Sequence, residues 1–152
     1  KNQAVSIKAA VEIGKRVFFS GQDEKVRLTS PTETAAYLLP RIGTKPTEEF
    51  LVLCLNTKNR LIGSQTVAKG SLSCAVVHPR EVFSVAIMNR AASIIVAHNH
   101  PSGEPAPSDE DKELTKALVA SGNMLGIPVN DHIIIGQGRY YSFKESGSHY
   151  LG

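Results

Sequence analysis

The sequence predicts an α/β chain of the α+β type, with a mixed, mostly antiparallel sheet flanked by helices. Three observations carry this. Strand-like and helix-like segments alternate irregularly, which is not the regular alternation of a doubly wound parallel sheet. Two apolar runs, from Glu49 to Thr57 and from Leu61 to Val67, are separated only by Lys58-Asn59-Arg60, the spacing of a tight hairpin. No glycine-rich phosphate loop of either common spacing occurs, so nucleotide-cofactor folds lack support.

Taken in order, residues 4–19 place Val5, Ile7, Ala10, Val11, Ile13, Val17 and Phe18 at helical spacing, with an end near Ser20-Gly21. Residues 22–29 read as a polar connection. Ser30-Pro31-Thr32-Glu33 is a strong helix start, with Ser30 as N-cap, Pro31 at the first helical position and Glu33 closing a capping box. That helix carries Ala35, Ala36, Leu38 and Leu39 and is expected to break at Pro40. The first strand, Glu49 to Thr57, has few charges and should be buried on both faces. Gly70 to Val77 contains a possible short strand. His78-Pro79-Arg80-Glu81 opens a helix through about Asn89, and Ser93 to His98 is a buried strand. Residues 101–107 hold three prolines and Gly103 and must be loop. Ser108 to Ser121 forms a helix stopped by Gly122. Val129 to Ile135 and Arg139 to Phe143 are strands around Gly136-Gln137-Gly138, and the polar end from Lys144 is expected to fray.

At 152 residues and 41% apolar content the chain can bury one domain's core. No apolar stretch approaches the ~20 residues of a membrane helix, and no secretory signal is visible. The chain does not begin with Met, so it is expected to be cut from something longer. Of two cysteines, Cys54 lies in an apolar run and Cys74 forms no CxxC with it, which fits a reducing cytoplasm and gives no cysteine metal site. Net charge is +3, but six basic residues against three acids fall in residues 1–27, and the remainder holds 11 of each sign. Charge therefore gives the main domain no nucleic-acid surface.

The chemistry is concentrated in His98-Asn99-His100-Pro101, Ser108 and Asp111, the pattern H-x-H-P-x6-S-x-x-D. Two histidines one residue apart on a strand point the same way. Asp111 returns at the first turn of a helix, whose N-terminus favours an anion. Two imidazoles and a carboxylate, with a fourth position left to water, are a catalytic zinc's ligands. The pattern predicts a metal hydrolase site, with one Zn2+ per chain. Ser108-x-x-Asp111 is also a capping box, and the two roles are compatible. The letters His-Asn-His suggest an HNH nuclease, whose residues are not contiguous. Zinc nucleobase deaminases need H-x-E and P-C-x-x-C, which are absent.

The string AHNHPSGEPAPSDED resembles the JAMM motif of MPN-type metalloproteases, and more narrowly the bacterial RadC family. EEFLVLCLNTKN, GSLSCAVVHPREVF and VNDHIIIG agree with that family. The resemblance covers residues from about 22 to the end. It implies an MPN/JAMM architecture of cytidine-deaminase-like type over 22–152. Residues 1–21 would be the last helix of a preceding helix-hairpin-helix-type region. It implies zinc held by His98, His100 and Asp111, Ser108 stabilising a tetrahedral intermediate, and a glutamate as general base. Glu48 and Glu49 point to opposite faces of a strand, so only one can serve. The family's usual E-H-F aligns that glutamate with Glu48, with Glu49 as the alternative.

The implied activity is cleavage of a peptide or isopeptide bond in a protein associated with DNA repair. The substrate would be a protein or peptide, and DNA contact would come through the missing N-terminal region. The rival readings are a non-catalytic MPN partner-binding module in DNA transactions and, third, a metal-dependent nuclease. Other polar residues take quieter readings. His78 is structural or supports the site indirectly, and His149 is solvated. Asp131-His132 is a satisfied hydrogen-bonded pair, with orientation of a ligand as the alternative. Asn99 faces away from the ligands and ties the loop. Exposed strand edges beside the site could accept an extended peptide by β-addition.

Overall fold

A computed structural model of the chain describes residues 2–20, 26–70 and 77–151, with side chains of the first helix from 3 to 16. The element order is α1 (Asn2–Ser20), α2 (Pro31–Ile42), β1 (Glu49–Leu55), β2 (Leu61–Lys69), α3 (Pro79–Met88), β3 (Ser93–Asn99), α4 (Asp109–Leu125), β4 (Val129–Ile135) and β5 (Tyr140–Ser142). The five strands form one sheet in the order β2-β1-β3-β4-β5. All neighbours are antiparallel except β3 and β4, which are parallel and joined through α4. The predicted mixed, mostly antiparallel sheet with flanking helices is the observed one.

The central strands are buried on both faces, so each feeds two cores. Alternate residues Phe50, Val52, Ile94 and Val96 pack with Phe83, Leu114 and Leu118 of α3 and α4. Their neighbours Leu51, Leu53, Ile95 and Ala97 pack with Ala35, Leu38 and Ile42 of α2. Cys54 is buried within the first core, and burial pushes its thiol up to about 11. The β1–β2 turn is closed by Asn56, whose Oδ1 accepts from the N–H groups of Lys58 and Arg60, with Asn59 at positive φ.

Several boundaries differ from expectation for identifiable reasons. α2 has the predicted capping box at Ser30 and Glu33 but continues through Pro40 to Ile42. Ile42 is buried in the α2 core, Gly43 N–H bonds Leu39 O, and Arg41 donates to Tyr37 O. Tertiary burial of the last turn therefore outweighs the hydrogen bond lost at the proline. Gly122 does not stop α4. A Cβ there would lie 2.5 Å from Ile127 O and 3.2 Å from the Phe83 ring, so its role is close packing. The stop is Gly126, in the left-handed region at φ 70. The end of the chain does not fray over its described residues. Turns bond Ser146 and Ser148 back to Ser142 and Phe143, and Leu151 packs on the first core. Part of the polar connection is structural too, since Arg27 bridges Arg60 and Leu28 is buried. The possible strand over 70–77 and Cys74 fall almost wholly outside the described residues. α1 forms as predicted, with Val5, Ile7, Val11 and Ile13 exposed. No helix of the described residues is long and apolar enough to cross a membrane.

Candidate metal centre

The site sits where β3 ends, beside the first turn of α4. β3 runs to Asn99, and its alternation puts the His98 side chain on the face covered by α3 and α4. Phe50 lies directly across from His98 in the β1–β3 ladder, and its ring stacks on the imidazole at 5.8 Å and 15°. His98 is 2% exposed. His100 follows on the same side at the start of the proline-rich loop. It is fixed by a backbone bond to Ile135 O and by its Nδ1, which donates to Glu104 O at 2.8 Å. That donation leaves its Nε2 without a hydrogen in the neutral ring.

Ser108 is the N-cap of α4, and the capping box predicted with Asp111 is present. Asp111 N–H donates to Ser108 Oγ at 3.1 Å, and Ser108 N–H donates to Asp111 Oδ2 at 2.8 Å. The box aims the carboxylate back at the strand end. His98 Nε2 and His100 Nε2 lie 3.0 Å apart, Asp111 Oδ1 is 3.2 Å from the first, and Asp111 Oδ2 is 3.4 Å from the second. The His98–His100 and His98–Asp111 Oδ1 separations are close to the edge of a zinc tetrahedron built on bonds of about 2.0–2.1 Å, which is on the order of 3.3 Å. His98, His100 and Asp111 are the group among the described residues that could hold a metal ion. The donor set, two imidazole nitrogens and a carboxylate, suits zinc.

Electrostatics point the same way. Burial opposes ionisation of Asp111, but the facing His100 and His98 rings, which donate to it through Nε2 when protonated, outweigh that effect and hold the carboxyl well below the usual range. The Asp111 carboxylate raises His100 against the effect of its burial, with smaller contributions from Glu104 O and the charge of Glu48. The site is therefore anionic at its base and attracts a cation.

Of the two candidate glutamates, only Glu49 lies within β1. Glu49 is turned to the face opposite His98, where Lys45 Nζ and Lys69 Nζ each lie 3.8 Å from its Oε1. Glu48 immediately precedes β1, and its charge contributes to raising His100. Ser108 is exposed at the rim. Its Oγ accepts from Asp111, and its hydroxyl hydrogen has no acceptor among the described residues. Asn99 faces away from the ligands as expected and ties the loop before β1. Its Oδ1 accepts from Glu49 N–H and its Nδ2 donates to Thr47 O. His78 is structural, an N-cap whose Nδ1 accepts from Arg80 N–H.

Asp131 and His132 do not pair through their side chains. The Asp131 carboxylate accepts from Ser142 Oγ, Lys144 N–H and the backbone N–H of His132. The His132 ring turns instead to the site, with Nε2 2.9 Å from His98 Nδ1 and Nδ1 2.7 Å from Thr115 Oγ1. Thr115 was not singled out from the sequence. Its signal was available in its position four residues after Asp111, on the same face of α4.

A groove of about 380 Å3 opens beside His100, walled by Gly43–Pro46 on one side and Pro101 and Gly103 on the other.

Residues 28–148 match the family described as the RadC-like JAB domain. The chain is 51% identical over 145 residues to a UPF0758 protein of Caldanaerobacter subterraneus subsp. tengcongensis, covering 95% of this chain and 62% of that protein. It is 44% identical over 147 residues to a UPF0758 protein of Methanosarcina barkeri, covering 97% and 64%. It is 45% identical over 145 residues to one of Listeria monocytogenes, covering 95% and 65%. The chain thus spans less than two thirds of the length of these relatives.

Proposed function

Since this chain belongs to the family of RadC-like JAB domains, we propose that it is a zinc-dependent hydrolase cleaving a peptide or isopeptide bond. The observation that carries this reading is the convergence of His98 Nε2 and His100 Nε2, 3.0 Å apart, on the Asp111 carboxylate, with Oδ1 3.2 Å from the first and Oδ2 3.4 Å from the second. One Zn2+ held there would polarise a substrate carbonyl and bring the pKa of a water towards ~7.

The chain's own residues supply the rest. Glu48, just before β1 and acting by its charge on His100, takes a proton from the attacking water and delivers it to the leaving amine. Ser108 donates its hydroxyl hydrogen to the carbonyl oxygen as charge develops there. Asn99 holds the segment that carries Glu48. The substrate, a protein or peptide, enters by the groove beside His100. Association with DNA repair is proposed as well, and residues 28–148, with 11 basic residues facing 11 acidic ones, carry no net positive charge to attract DNA.

Elemental analysis of protein never exposed to chelator tests the reading. About one zinc per chain, lost in His98→Ala while the circular dichroism stays native, is the expected result. It would be followed by a peptidase and isopeptidase screen. Absence of zinc with no uptake on titration would transfer the proposal to a non-catalytic partner-binding module.

A further inference from the structure

We infer that His132 is a positioning residue, which accepts the Nδ1 hydrogen of His98 and so keeps the His98 Nε2 lone pair turned to the metal; the inference rests on the zinc reading above. The protons can be counted from one end of a buried chain of hydrogen bonds. Thr115 Oγ1 lies 2.6 Å from the backbone oxygen of Asp111. A carbonyl only accepts, so the single hydroxyl hydrogen of Thr115 goes there. The same Oγ1 lies 2.7 Å from His132 Nδ1 and must accept, which places a hydrogen on that nitrogen. A neutral imidazole with its hydrogen on Nδ1 has a lone pair on Nε2. That lone pair is 2.9 Å from His98 Nδ1, which must donate to it. The neutral His98 ring is then bare at Nε2, the atom that faces His100 and Asp111.

The surroundings of His132 hold it in this state. The ring is fully buried. It is stacked on Phe143 at 5.0 Å and 10° and meets the edge of Phe50 at 5.6 Å. The nearest acid in sequence, Asp131, is committed to Ser142, Lys144 and the backbone. Burying an imidazole without partners would be costly, and here both nitrogens are bonded.

The chain also links three elements. His98 lies on β3, His132 on the parallel neighbour β4, and Thr115 and Asp111 on α4. It fixes the orientation of one ligand against the backbone of another. A residue present only to fill the core could be phenylalanine, whose ring would suit the same aromatic contacts.

Zinc affinity, measured by competition with a chromophoric chelator on the native chain, His132→Phe and His132→Gln, distinguishes these roles. The phenylalanine variant, folded by circular dichroism, should bind zinc about 10- to 100-fold more weakly. Glutamine, whose side-chain oxygen can accept from His98, should recover part of the loss. Native affinity in the phenylalanine variant would overturn the inference. Should that variant not fold, Thr115→Val removes the hydroxyl at constant shape and should weaken zinc in the same direction, and native affinity there would equally overturn it. Nitrogen-15 spectra of the histidine-labelled native chain read the tautomer without reference to zinc. A hydrogen on Nδ1 of His132 is expected, and one on Nε2 would overturn the assignment. A native chain that takes up no zinc but shows the Nδ1 hydrogen would sink the zinc reading while leaving the hydrogen-bond chain in place.

Discussion

The side-chain oxygen of Asn99 accepts the backbone N–H of Glu49 at 2.7 Å, and its Nδ2 donates to Thr47 O at 3.0 Å. The residue between the two histidines therefore grips, on the opposite face of the sheet, the stretch that presents Glu48. Both partners of this contact are buried. Asn99→Ala leaves the Glu49 N–H and the Thr47 carbonyl without their partner, at a cost of about 1–3 kcal/mol. Zinc should still bind at about one per chain, because no ligand is touched, while hydrolysis falls with the displaced Glu48. Urea unfolding, zinc content and turnover on any substrate found check the three parts. Loss of zinc with unchanged stability would show that Asn99 acts on the ligands instead.

Glu48 and Glu49 should separate cleanly on substitution. Glu48→Gln keeps the shape and removes the base, so zinc content is expected to stay native while turnover drops by roughly 10²–10⁴. Glu49→Gln touches only ion pairs at 3.8 Å to Lys45 and Lys69, both partly or well exposed. Glu49 is buried and turned away from the ligands, so any loss should fall on stability, and turnover should be near native. Equal losses in both variants would contradict the assignment of the base to Glu48.

The parts of the site that were legible in the sequence are those fixed locally. The alternation His98-Asn99-His100 needs only a strand. The reciprocal bonds of Ser108 and Asp111 need only a helix start. The direction of Glu49, away from His98, follows from the pleat once β1 is placed. The hydrogen bond from His98 to His132 is different, because it depends on β4 lying parallel beside β3 with His132 opposite Val96. Sequence spacing does not encode that register, so His132 read most simply as a partner for Asp131. Pro40 and Gly122 were misplaced for a related reason. Intrinsic preference marked both as helix ends, and burial of Ile42 and of the Phe83 contact decided otherwise.

The pH dependence of the metal-free chain follows from Asp111 and His100. Asp111 is held below its ordinary 3.8, so its contribution to stability is present above that value and lost as pH falls through the lowered one. His100 is raised above its ordinary 6.5, so its contribution is fully present below 6.5 and lost as pH rises through the raised value. Both contributions coincide between these two ordinary values, and thermal unfolding should show the metal-free chain losing the His100 part above that window. Zinc needs the same nitrogen unprotonated, so its affinity should move the other way, weakening by up to about tenfold per unit once pH falls below the raised value. Chelator competition between pH 5 and 8 measures this, with pH chosen to span the ordinary range of histidine, about 6.5. A pH-independent affinity would mean that His100 is not a ligand.

The loop that carries His100 is positioned by a glycine on another strand end. A Cβ at Gly136 would stand 2.3 Å from Gly103 O and 2.8 Å from Pro105 Cδ, so any larger residue must push the loop away. The same contact lets Gln137 N–H reach Gly103 O at 2.9 Å and lets Glu104 present its carbonyl to His100 Nδ1. Gly136→Ala is therefore expected to destabilise the chain by roughly 1–3 kcal/mol through overpacking, and to weaken zinc binding because the orienting carbonyl moves. Gly14→Ala is the control. It lies in the interior of α1 with nothing within 4 Å of an added Cβ, and helix propensity predicts a gain of about 0.5–1 kcal/mol there, with zinc unaffected. Calorimetry on both variants beside chelator competition separates the two effects. If Gly136→Ala lowered stability with zinc affinity unchanged, His100 would be held by its backbone bond to Ile135 O, and the Glu104 carbonyl would have no part in aiming it.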